Sequence, residues 1–181
     1  YRISSREPLD LNMQLRFLNW LSRLSYRQLH ALASALAFLA QNVFKYRRKV
    51  IRDNIERSFP QQSADWYNRI ESGYYLHFAD ITVESIKHFT IDNETAMSRM
   101  KHVNTEAFKP FFEAGKSVLI AGGHLNNWEL YAVTANQNIP HDAMAVYKKL
   151  SDPVMDKAVR ESRQRFGLEM VRTVDAQAWM R

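Results

Sequence analysis

The chain has 181 residues, of which 46% are hydrophobic and 24% charged. That balance excludes a disordered polymer, and the absence of cysteine excludes disulfides and thiolate metal sites. The formal charge of +6 is unevenly placed, with 11 Lys/Arg against 4 Asp/Glu in residues 1–60 and 14 against 15 in residues 61–181, so the N-terminal third is the part suited to an anionic partner such as lipid headgroups or nucleic acid.

The first residue is Tyr1, as in a processed or incomplete N-terminus. No basic leader followed by an apolar run and a small-residue cleavage site is readable. The strongest apolar run is Met13 to Phe44, densest over LHALASALAFLAQNVF, residues 29–44. A membrane-spanning helix needs about 20 mostly apolar residues. This stretch is shorter, is interrupted by Gln41 and Asn42, and follows Arg16, Arg23 and Arg27. An amphipathic helix lying in the membrane interface fits better, with an ordinary core helix as the competing reading.

KYRRKVIRDNIERSF follows at residues 45–59, with Val50, Ile51, Ile55 and Phe59 at near-helical spacing among six cations. A basic cluster beside an apolar helix favours anionic lipid surfaces; the bland alternative is a solvated helix face. Aromatic residues are not interleaved for base stacking, apart from Tyr46 and Phe59, so nucleic acid is not expected as a partner. Phe59-Pro60 ends this helix. Ser63 then caps a helix predicted over roughly 64–90, and a short helix follows Asn104 and ends near Gly115.

From Lys116 the character changes. SVLIA, residues 117–121, reads as a buried strand, Asn126 to Asn136 as a helix, and Ala143 to Tyr147 as a second strand. Ser151-Asp152-Pro153 starts a helix that ends at Phe166-Gly167, and Leu168 to Arg172 reads as a third strand. The predicted fold class is therefore α/β, with N-terminal helices followed by a β-α-β-α-β unit on a parallel sheet.

The segment with chemical content is GGHLNNWEL, residues 122–130. Gly122 and Gly123 permit a sharp turn after the first predicted strand, and His124 stands at its carboxyl end, where open α/β sheets place their sites. On one helix, His124 and Glu129 would point about 140° apart. With His124 in the preceding turn they converge, and the carboxylate can hold one ring nitrogen while the other takes a proton. By spacing alone, a structural histidine is the competing reading. Asn126 or Asn127 can cap the helix, and Trp128 belongs to the pocket mouth or the core. No HExxH pattern, phosphate loop or GxSxG elbow is present, and no metal site is expected.

His124-Leu-Asn-Asn-Trp-Glu129 resembles the HxxxxD/E motif of the lipid A biosynthesis acyltransferases of the lauroyl/myristoyl type, a branch of the lysophospholipid acyltransferase superfamily. KYRRKVIRDNIERSFP, FADITVESIKHF and VYKKLSDPVMDKAVRESRQRFG resemble further segments of that family in the same order. The resemblance implies acyl transfer from an acyl carrier protein or coenzyme A thioester, used as co-substrate without a bound cofactor, to a hydroxyl of a membrane lipid. It implies His124 as general base and Glu129 as its orienting group. Lys148, Lys149, Arg160 and Arg163 become candidates for substrate binding, with Asn126 and Asn127 at the pocket mouth; for the four cations a solvent-facing role is the competing reading. It further implies a basic, membrane-associating helical region at 1–60 and the N-terminal part of the acyltransferase domain at 61–181, at the cytoplasmic face of the inner membrane, held peripherally or by a single N-terminal anchor. Because members of the family continue well past the equivalent of Arg181, an incomplete domain is expected. The alternative is a non-catalytic, peripheral membrane-binding fragment.

Overall fold

Helix signals dominate the sequence, and helices dominate the structure. A computed structural model describes residues 8–179; residues 1–7 of the basic region, and residues 180–181, lie outside it. The helices are α1 (Pro8–Ser22), α2 (Tyr26–Phe38), α3 (Arg48–Ser58), α4 (Ala64–Lys87), α5 (Asn93–Arg99), α6 (Lys109–Glu113), α7 (Trp128–Ala135), α8 (Pro153–Gln164) and α9 (Ala176–Trp179). Strands β1 (Met144–Tyr147) and β2 (Glu169–Arg172) pair in parallel, with Met144 opposite Glu169 and Tyr147 opposite Arg172. The described residues fall into two units, Leu24–Ser85 and the remainder.

In the Leu24–Ser85 unit the core follows helical periodicity. Leu29, Ala33 and Ala37 of α2, spaced by four, pack with Ile51 of α3 and with Tyr75, Ala79 and Val83 of α4, again spaced by four. Ser25 and Gln28 form a reciprocal capping box at the start of α2. The helix then widens into a π-helical segment, Leu39–Val43, where Phe44 N–H donates to the Leu39 carbonyl at 2.9 Å. The α3 cations are anchored as well as solvated: Arg48 and Arg52 converge on the buried Glu71 carboxylate at 2.8 and 3.5 Å. As predicted, Ser63 Oγ accepts from Trp66 N–H, and α3 stops before Pro60. Among the described residues no helix is long and apolar enough to cross a membrane.

In the other unit, β1, α8 and β2 fall where the sequence places the last three elements of the predicted sheet. Asp152 caps α8 ahead of Pro153, its Oδ1 accepting from the N–H groups of Val154 and Met155, both at 2.9 Å. Phe166, Leu168, Met170 and Val171 are buried, as are Leu130 and Val133 of α7. The α8–β2 turn needs Gly167: φ is +88°, and a Cβ there would lie 2.5 Å from Asn136 Nδ2. Asn136 in turn accepts the Ala143 N–H at 2.6 Å, which ties α7 to the entry of β1.

One element of the prediction is corrected. Ser117–Ala121 is not a strand but an exposed segment without ladder hydrogen bonds, with Leu119 91% exposed. The sheet among the described residues is therefore two-stranded, β1-β2. An apolar run acquires strand structure only by pairing, and no described strand lies in register with this one. The fold is a mixed helical one with a small parallel sheet, compatible with the α/β class.

Candidate functional site

The carboxyl end of β1, the start of α7 and one side of α8 line a cavity of about 540 Å³. His124, Trp128 and Glu129 form one wall, Tyr147, Lys148 and Leu150 another, and Asp156, Arg160 and Arg163 of α8 a third. Residues far apart in sequence thus meet at the C-terminal edge of a parallel strand, the usual place for a site in such sheets.

Local structure explains each placement. Asn127 is buried and caps α7, its Oδ1 accepting from Leu130 N–H at 2.9 Å. Asn126 takes the left-handed conformation, with φ of +49°, and turns the chain into the helix. That leaves His124 outside the helix, in the exposed loop before it, with its ring edge-on to Trp128 at 4.9 Å. Glu129 lies in the first turn of α7, where the helix dipole favours a carboxylate.

The Glu129 carboxylate is held by Arg163 in a two-pronged pair, Oε2 accepting from Nε at 3.0 Å and Oε1 from Nη2 at 2.7 Å. Both side chains are about four-fifths buried, at 19% and 22% exposure. A planar guanidinium matches a carboxylate in this geometry. Asp156, buried in the first part of α8, accepts the Leu150 N–H at 2.8 Å and lies 3.4 Å from the Tyr147 hydroxyl. Arg160 lines the same wall, with its Nε buried and without a hydrogen-bond partner among the described residues. Neither Lys148 nor Arg160 forms an ion pair among the described residues.

Five of the eight residues singled out from sequence therefore share the cavity: His124, Glu129, Lys148, Arg160 and Arg163. Asn127 serves as a helix cap, Asn126 is an exposed turn residue, and Lys149 is exposed outside the cavity wall. Sequence reasoning missed Asp156 and Tyr147. The available signal was weak: Asp156 sits four residues after the Asp152 cap and ahead of Arg160, which reads as an ordinary helix-surface pair.

Two further histidines lie near this frame. His88 is buried, and its pKa is pushed down to about 4, by burial first and then by the Arg163 and Arg165 charges. His102 stacks on Tyr131 at 4.8 Å, with Nε2 2.8 Å from Thr134 Oγ1, and burial lowers its pKa. Among the described residues no group of His, Asp and Glu is arranged to hold a metal ion.

Fold and cavity together define a mixed helical fold with a small parallel sheet, compatible with the α/β class, and a pocket with three cations at a strand end beside a histidine and a carboxylate. The family model for the bacterial lipid A biosynthesis acyltransferases matches residues 10–181, and the chain belongs to that family. Comparison with curated proteins and with solved structures gives no match.

Proposed function

We propose that the cavity transfers a fatty acyl group from an acyl carrier protein or coenzyme A thioester to a hydroxyl of a membrane lipid, a lipid A precursor or a lysophospholipid-like molecule. One observation carries the reading. His124 shares a single cavity with Glu129 and with the cations Lys148, Arg160 and Arg163, although up to 39 residues separate them.

His124 takes the proton of the lipid hydroxyl as its oxygen attacks the thioester carbonyl. The C–O bond forms, and the carbonyl electrons move onto an oxyanion. Collapse of this tetrahedral species breaks the C–S bond, and the departing thiolate receives the proton from the imidazolium. Glu129 orients the base. A carboxylate has about four lone-pair directions, so the two hydrogen bonds from Arg163 leave acceptor capacity for a ring N–H. Lys148 and Arg160 bear the oxyanion or an anionic group of the lipid. Asn126 and Asn127 act one step away, by shaping the turn and cap that present His124. Lys149 meets anionic headgroups outside the cavity.

Residues 38–50 support association with the cytoplasmic face of the inner membrane. Phe44, Phe38 and Val43 are 72%, 61% and 58% exposed, and they adjoin the exposed cations Lys45, Arg47 and Lys49. Apolar side chains that enter the interface beside cations that pair with anionic lipid describe a peripheral anchor.

Replacement of His124 by alanine tests the base. Acyl transfer from a dodecanoyl thioester to lipid A precursor micelles is expected to fall by about a hundredfold or more. Near-normal turnover in a folded variant would remove His124 from the mechanism.

A further inference from the structure

The loop between β1 and α8 carries Lys148 but has little backbone structure of its own. Tyr147 is tied into the sheet opposite Arg172, and Thr173 N–H donates to its carbonyl at 2.9 Å. Beyond it, the Leu150 N–H finds its acceptor in a side chain, the Asp156 Oδ1 at 2.8 Å. The other oxygen of the same carboxylate lies 3.4 Å from the Tyr147 hydroxyl. One buried group therefore spans both flanks of Lys148.

We propose that Asp156 is a positioning residue, which holds the Tyr147–Leu150 segment so that Lys148 stands in the cavity wall shared with His124. The inference rests on the function proposed above, in which Lys148 bears an anionic group.

Three observations favour this over a merely local role. Asp156 is only 7% exposed and forms no ion pair among the described residues, so its contacts are the hydrogen bonds to the Tyr147–Leu150 segment. The α8 cap is already supplied by Asp152, which accepts two N–H groups, and Asp156 is not needed there. Its place in the first turns of α8 lets the helix dipole offset part of the burial cost. What remains is a short, part-buried hydrogen bond from a loop amide to a carboxyl oxygen. Such a bond narrows the range of backbone positions from which a flexible lysine can start.

The test is a double-mutant cycle on the full chain, with dodecanoyl-acyl carrier protein as donor and lipid A precursor micelles as acceptor. Asp156→Ala is expected to lower kcat/KM by roughly tenfold, through whichever of kcat and KM Lys148→Ala also moves. Asp156→Asn, whose amide oxygen still accepts from Leu150, restores most of the activity. In the Lys148→Ala background, loss of Asp156 should cost less than about twofold, because the residue it acts through is gone. An undiminished tenfold cost in that background makes the two effects independent and overturns the proposal, as does wild-type activity of Asp156→Ala beside an impaired Lys148→Ala. Wild-type activity of Lys148→Ala overturns it too, while His124→Ala still tests acyl transfer separately. If Asp156→Ala does not fold, Leu150→Pro deletes the same hydrogen bond from the exposed loop and must show the same dependence on Lys148.

Discussion

Stability toward acid should be governed in part by His88. Its folded pKa is about 4, against an ordinary value of 6.5, because burial and the Arg163 and Arg165 charges disfavour the imidazolium. Between those two values the unfolded chain binds a proton that the folded chain refuses. Stability therefore rises with pH through this window, is complete above about pH 7, and is lost progressively toward pH 4. Each unit of pKa displacement corresponds to about 1.4 kcal/mol, so the fall from pH 7.5 to pH 4.5 amounts to about 2–3 kcal/mol from this one group. Replacement of His88 by leucine, an apolar side chain of similar size, removes the titration. Urea unfolding of the wild type and His88→Leu across this range should give curves that converge toward acid, with the variant losing about 2–3 kcal/mol less. Parallel curves, or an imidazole that titrates near 6.5 by NMR, would refute the argument.

Arg163 joins two of these effects. Arg163→Met leaves Glu129 largely buried without its partner and is expected to destabilise the fold by about 2–3 kcal/mol in urea unfolding; Arg163→Lys recovers little of this, having no guanidinium fork to match the carboxylate. The same Met variant removes a cation that opposes protonation of His88, so the NMR-observed pKa of His88 should rise from about 4. Vesicle flotation tests the membrane surface: binding is expected to anionic vesicles and not to neutral ones, and Lys45→Glu/Arg47→Glu should weaken it by more than tenfold at about 1 kcal/mol per cation removed, with reversal adding to this. Equal binding to both vesicle types, or no change in the variant, would assign residues 38–50 another role.

The readable parts of this chain were those whose signals are local. Ser63 and Asp152 announce α4 and α8 through capping chemistry that acts over three residues, and four-residue spacing marks the buried faces of α2 and α4. Asp92 caps α5 in the same way, accepting from Thr95 N–H at 2.7 Å; no helix is predicted there, because seven residues are too few to stand out by periodicity. Val118, Leu119 and Ile120 show the limit. Composition reports that a segment suits a strand, whereas a strand exists only where another supplies its hydrogen bonds. The site divides in the same way. The cap and turn that set His124 before α7 follow from adjacent residues, but nothing across 34 residues reveals that Arg163 grips Glu129, and the six-residue return from Asp156 to Leu150 lacks the spacing of a helix cap.

The charges of the cavity have an order that bears on what it can bind. Lys148, Arg160 and Arg163 face Glu129 and Asp156, and these charges are not equally available. Glu129 and Arg163 answer each other, and Asp156 is engaged by Leu150. Lys148 and the Arg160 guanidinium remain, and the Arg160 Nε is buried with no acceptor among the described residues. An unsatisfied buried donor costs on the order of 1–3 kcal/mol. To such a donor a neutral thioester carbonyl is a weak acceptor. The oxyanion that forms during transfer is a stronger acceptor, because it carries the developing charge. On the proposed function this places the strongest interaction at the charged species rather than at the neutral substrate, which is the condition under which binding energy accelerates a reaction.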